Sequence, residues 1–155
     1  MPDAIHQDHQ PILVTGARRS GTTWAATILS SAENGRLVGE LFNPQIGPLA
    51  GRNVVPGWFL YLTDQNAFQV APELPLAIQE QLSIAPKSPD FWEDEPVHSI
   101  LSHLRYQAFL LRKLRYGIRA IIKDPIAAFS SDWLARTFSA KVIVLVRHPA
   151  AFVHS

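Results

Sequence analysis

VTGARRSGTTWAATIL, residues 14–29, decides the reading of this chain. An apolar run, Ile12 to Val14, ends at Gly16, and four residues separate Gly16 from Gly21. Thr22 and Thr23 then open a segment in which Trp24, Ile28 and Leu29 recur at helical spacing. The pattern is a strand, a glycine-bounded loop and a helix N-terminus. Such a turn aims several backbone N–H groups at one place, where the helix dipole also favours negative charge. Residues 16–23 therefore read as a cradle for a phosphate-like anion.

The Gly-x-x-x-x-Gly spacing is that of a Walker A loop, but Thr22 stands where the nucleotide-hydrolysing version carries lysine. Positive charge comes instead from Arg18 and Arg19, inside the loop. Arginine presents a planar fork of donors suited to phosphate and sulfate oxygens. The blander reading is a glycine turn whose arginines face solvent.

Working outward, residues 1–10 read as a loose polar tail and residues 11–15 as a buried strand. Helix is expected over 22–32 and a short second strand over 36–39. Residues 41–92 are rich in Pro and Gly and carry Trp58, Phe59, Tyr61, Phe68, Phe91 and Trp92. This region reads as loops with a short helix over 74–82, either an acceptor-binding region or a plain connector. A long amphipathic helix is expected from Glu93, with Gly117 as its C-cap and His98 and His103 as ordinary helix residues. Ile118 to Ile122 reads as a buried strand ending in Lys123-Asp124-Pro125, followed by a helix over 127–138. KVIVLVR, residues 141–147, is the most apolar strand and reads as a central one.

Alternating strands and helices imply an α/β fold: a three-layer parallel sheet with helices on both faces, P-loop NTPase-like. Ligands of such sheets sit at the carboxyl ends of the strands. The residues expected there are 16–23, Glu40, Lys123, Asp124 and Arg147.

Composition narrows the function classes. The net charge of +1 is too balanced for a general nucleic-acid binder. Ten of the 14 basic residues are arginine, which is compatible with anion recognition. The chain has no cysteine, so thiolate chemistry, disulfides and cysteine-held metals are excluded. No metal site is expected. The polar N-terminus has no signal-peptide core, and no apolar run approaches the roughly 20 residues of a membrane span. A cytoplasmic protein is the default expectation, with oligomeric state unreadable.

Three islands resemble the sulfotransferases that use 3'-phosphoadenosine 5'-phosphosulfate (PAPS). RRSGTTW, Arg18 to Trp24, resembles that family's 5'-phosphosulfate loop, with Arg19 in the usual Lys/Arg place and Arg18 replacing the usual Pro. VLVRHPAAFVHS, residues 144–155, resembles its 3'-phosphate motif, an arginine at a strand end and a serine eight residues on, here Arg147 and Ser155. IIKDP, residues 121–125, resembles an element of the carbohydrate and tyrosylprotein branches.

The resemblance implies PAPS as co-substrate, without a metal, and a hydroxyl acceptor on a carbohydrate, glycolipid or other small alcohol. It implies that Arg18, Arg19, Ser20, Gly21, Thr22, Thr23 and Trp24 contact the 5' end, and that Arg147 and Ser155 hold the 3'-phosphate. Glu40, in a Gly-Glu context, matches the catalytic glutamate of several family members. Burial raising its pKa would suit it as general base. Arg19 and Lys123 are the cations expected to stabilise the transferring group, although Lys123 in a salt bridge reads equally well. Asp124 would orient Lys123 or cap the next helix.

Family members run further, with a later Gly-rich basic segment. The expectation is therefore a C-terminally truncated domain, with weak or absent activity for these 155 residues alone. Two other readings stay open: a P-loop kinase or NTPase, with Asp124 hinting at a magnesium-binding acid, and a non-catalytic anion-binding fragment.

Overall fold

The structure is a computed structural model and describes residues 10–32, 35–83 and 118–148, with positions 104, 107, 108 and 111. Four strands form its centre: β1 (Ile12–Gly16), β2 (Gly35–Val38), β3 (Arg119–Lys123) and β4 (Lys141–Leu145). They pair in parallel in the order β2-β3-β1-β4. Helix α1 (Thr22–Ala32) follows β1. Helices α2 (Ala67–Val70) and α3 (Leu74–Ser83) close the irregular segment after β2. A 3-10 helix (Ile126–Ser130) and α4 (Ser131–Phe138) connect β3 to β4.

The two-residue period of a strand sends neighbouring side chains to opposite faces of the sheet. Ile12, Val14 and Ile121 face one way and pack with Ala26, Leu29, Ile143 and Leu145, under α1. Leu13, Ala120 and Ile122 face the other way and pack with Phe42, Leu62, Leu74, Ile78, Trp133 and Leu134. Trp133 anchors that second layer, meeting Phe42 and Phe138 edge-on at 6.4 and 5.8 Å. Both faces of the parallel sheet are therefore covered, which gives the expected three layers.

Gly16 joins β1 to the loop and lies opposite Leu145 of β4. Its φ is +142°, and a Cβ there would sit 2.2 Å from the Leu145 carbonyl oxygen. Only glycine lets these two backbones approach so closely.

The structure departs from the sequence reading in four places. First, β4 is not central: among the described residues it borders the sheet, with Val144 exposed, while β1 and β3 hold the middle and are buried. An unbroken apolar run measures burial appetite on both faces but carries no count of neighbouring strands. Second, the helix expected over 127–138 is split at Ser130, where the 3-10 helix ends and whose φ of −109° and ψ of 14° are not α-helical. The Ser130 hydroxyl accepts the Leu62 N–H at 3.0 Å and donates to the Leu60 carbonyl at 2.5 Å. That tie to the 60–62 segment holds the first part of the connection in a 3-10 turn. Third, residues 41–66 are irregular, as expected, yet they supply core: Leu41, Phe42, Leu49, Val54, Val55 and Leu62 are all buried. Fourth, strand bounds shift by one residue: β2 begins and ends one earlier than expected, β1 and β3 one later.

The tail over 1–9 and most of the helix expected from Glu93, with His98, His103 and Gly117, lie outside the described residues. Positions 104, 107, 108 and 111 within that span are helical. Among the described residues, no helix is long and apolar enough to cross a membrane.

Candidate active site

All four strands are parallel, so their carboxyl ends lie on one edge and the loops leaving them meet there. A cavity of about 660 Å³ opens at that edge and takes its walls from all four loops. Gly16, Ala17 and Arg18 come from the loop after β1. Glu40, Asn43, Ile46, Trp58 and Phe59 come from the segment after β2, and Pro125, Ile126, Ala128 and Phe129 from the turn after β3. The end of β4 contributes Val144 to Arg147. Its volume falls in the range typical of small-molecule sites.

The first loop is a tight turn. The Ser20 N–H donates to the Ala17 carbonyl at 3.1 Å, and the Ala25 N–H to the Gly21 carbonyl at 3.0 Å as α1 begins. Arg19 adopts φ of 60° and Gly21 φ of 92°. A Cβ at Gly21 would meet nothing within 4 Å, so its backbone angle, not space, requires glycine there. Inside this turn the Ser20 hydroxyl is buried without a hydrogen-bond partner among the described residues. The Thr15 hydroxyl on β1 is unpaired in the same way, and neither residue lines the cavity. Thr22 is buried, while Thr23 is exposed and its carbonyl accepts the Thr27 hydroxyl at 2.9 Å. Trp24, on the first turn of α1, is 72% exposed and does not line the cavity.

Arg147 closes the distance between the two ends of the described chain. Its Nη1 donates to the Arg19 carbonyl at 3.1 Å, which brings the guanidinium onto the first loop. Arg18 and Arg147 thus line one cavity rather than two sites. Ser155, the other half of the expected 3'-phosphate pair, lies outside the described residues.

Glu40 is gripped from both sides. Lys123 Nζ lies 2.5 Å from Oε1, and the Asn43 amide donates to Oε2 at 2.8 Å. Asn43 is buried and fixed in turn, because its Oδ1 accepts the N–H groups of Gln45 at 3.0 Å and Ile46 at 3.1 Å. Partial burial pushes the Glu40 carboxyl up. The hydrogen bonds from Lys123 and Asn43, with the charges of Lys123 and Arg18, outweigh it and hold the carboxyl below its usual range. This corrects the expectation that burial raises it: the glutamate is an ion-paired carboxylate, deprotonated in advance.

Asp124 is fully buried and carries the local architecture. Oδ2 accepts the Phe42 N–H at 2.8 Å, and Oδ1 accepts the N–H groups of Ile126 at 2.9 Å and Ala127 at 3.1 Å. One carboxylate therefore caps the 3-10 helix and pins the loop that carries Glu40. Burial pushes it up to about 6, against the pull of those three N–H groups. Both oxygens are committed to backbone, which removes the hint of a magnesium-binding acid.

The sequence did not point to Asn43 or to Phe129. The one available signal for Asn43 was the Asn-Pro pair at 43–44, a turn signature. Phe129 reaches the site only through the fold: it meets Phe59 edge-on at 6.4 Å, across 70 positions of sequence.

A model of the sulfotransferase family matches residues 11–155, nearly the whole chain. No curated protein and no solved structure matches it significantly.

Proposed function

Since the chain belongs to the sulfotransferase family, we propose that it moves a sulfuryl group from PAPS to a hydroxyl acceptor bound in the strand-end cavity. One observation carries this reading: Arg18, Glu40 and Arg147 line the same cavity. Two cations and one carboxylate at a single opening are what a donor with two anionic ends and a proton-bearing acceptor need.

The 5'-phosphosulfate would lie against the backbone N–H groups of the first loop, Gly21 among them, with Arg18, Arg19 and the hydroxyls of Ser20, Thr22 and Thr23. The turn geometry supports this placement. Trp24, exposed outside the cavity lining, is assigned to the nucleotide by the motif alone. Arg147, with Ser155 on the strength of the motif, would hold the 3'-phosphate. Fixed cations and N–H groups aimed at the bridging oxygen lower the barrier without reorganising as charge develops. Arg19 and Lys123 fill that role.

Glu40 would take the acceptor's proton. Lys123 and Asn43 each occupy one position on the carboxylate, whose two oxygens offer about four lone-pair sites. It can therefore accept a further proton donor while staying oriented.

Thermal unfolding with 3',5'-ADP tests the donor half. The expected outcome is a rise in midpoint that shrinks in Arg18→Ala and Arg147→Ala, while magnesium ATP gives little. A larger rise with magnesium ATP would overturn the reading in favour of a P-loop nucleotide kinase. Transfer from labelled PAPS to a panel of alcohols tests the chemistry.

A further inference from the structure

Three large aromatic side chains stand uncovered, among the described residues, on the wall shared with Glu40. Trp58 is 45% exposed, Phe59 58% and Phe129 61%. Phe59 lies between the other two, its ring centroid 6.4 Å from each. It is edge-on to Phe129 and tilted against Trp58. All three line the cavity, and Ile46 and Val146 extend the same apolar surface. Leaving this much aromatic surface in water is costly unless something fills the space.

The wall offers few partners to a polyhydroxylated ligand. Among the described side chains lining it, the polar ones are Arg18, Glu40, Asn43 and Arg147. Asn43 already spends its oxygen on two backbone N–H groups and its amide on Glu40. A sugar placed here would find few side-chain partners for its several hydroxyls, and each one buried unpaired is costly. A flat aromatic frame would instead meet ring faces and edges at the separations that aromatic pairs favour.

We propose that the acceptor is a phenol whose ring system lies against Trp58, Phe59 and Phe129, with its hydroxyl at Glu40. This inference rests on the sulfuryl-transfer reading above. The base agrees with it independently of the wall. A carboxylate held below its usual range is a weak base. A phenol, like tyrosine, ionises near about 10, whereas an aliphatic alcohol is about as weakly acidic as water and far harder to deprotonate. In the step itself, the phenolic oxygen gives its proton to a Glu40 oxygen and forms a bond to sulfur. The bond from sulfur to the donor's phosphate breaks, its electron pair leaving on that phosphate.

Three probes separate the possibilities: 2-naphthol, its saturated analogue decahydro-2-naphthol and methyl β-glucopyranoside. Each is titrated calorimetrically into the protein, with and without 3',5'-ADP. The expected result is that 2-naphthol binds about fivefold more tightly than the saturated alcohol and at least about tenfold more tightly than the glucoside. Phe129→Ala and Trp58→Ala should each weaken 2-naphthol several-fold and leave 3',5'-ADP affinity unchanged. Both positions are exposed enough for the variants to fold. Equal binding of the saturated alcohol, tighter binding of the glucoside, or unchanged 2-naphthol affinity in both variants would overturn the inference. Loss of 3',5'-ADP binding with 2-naphthol still held by the aromatic wall would sink the donor assignment and leave the ring-binding surface standing.

Discussion

Glu40, Lys123 and Asn43 form a small machine in which each group fixes the next. Glu40→Gln keeps the shape and the Asn43 contact but removes the proton acceptor. It should lower kcat by about 10² to 10⁴-fold while 3',5'-ADP still binds, read by initial rates beside calorimetry. Because the Glu40 carboxyl is held below its usual range, the acid limb of the rate profile should lie below about 4.5. Asn43→Ala should shift that limb upward, since one of the bonds that favours the charged form is gone. Buried Asp124 behaves in the opposite sense. Its folded-state value of about 6 lies above the ordinary 3.8, so the folded protein binds the extra proton between those values. Its contribution to stability is therefore full below about 4 and is lost as pH rises through about 6, by roughly 3 kcal/mol. Glu40 adds stability above its ordinary value and loses it as pH falls through the lowered one. Chemical denaturation of the wild type against Asp124→Asn, at pH 4.5 and 6.5, reads the Asp124 part. The wild type should lose stability over that interval and the variant should not. Sequence exposed Glu40, Lys123 and Asp124 as strand-end groups. It offered Lys123 equally as a cation for the transferring group or as a salt-bridge partner, and the pairing with Glu40 that the fold makes depends on a contact spanning 83 positions.

At the level of elements, Ser130 shows how a local pattern yields to a distant partner. Residues 127–138 have helical periodicity, and the one local mark of a break is Ser130-Ser131-Asp132, the serine-and-acid run of a helix start. The break comes from the hydrogen bonds between the Ser130 hydroxyl and the 60–62 backbone. Ser130→Ala would leave the buried Leu62 N–H unpaired and should cost about 1–3 kcal/mol, measured by urea denaturation. The elements that sequence did reveal are those whose signals are local. β1 and α1 announce themselves through an apolar run, two glycines and a helical repeat. β3 and β4 are short apolar runs bounded by charged residues. The segment over 41–66 resisted reading because its buried leucines and valines follow no period. Their burial is set by turns, such as the one Asn43 ties, and by the second helical layer. For the same reason the aromatic wall could be suspected from composition but not located.

Across the whole molecule, a ligand that binds the folded cavity stabilises the fold by mass action. At 100 times its dissociation constant, 3',5'-ADP should contribute about 2.7 kcal/mol, or roughly 5–10 °C for a domain of this size. Arg18 and Arg147 line one opening, and Arg147 is bonded to the first loop through the Arg19 carbonyl. Their losses should therefore not be independent: in a double-mutant cycle, the two alanine variants should show a coupling of at least about 0.5 kcal/mol in 3',5'-ADP binding. Raising the salt concentration should weaken binding to the wild type more than to either variant. The close approach at Gly16 has a different consequence, one for evolution. The atom that excludes a side chain there is the main-chain oxygen of Leu145, which every amino acid carries. No replacement at position 145 can make room, so a selection for suppressors of Gly16→Ala should return reversion to glycine and nothing at the facing residue.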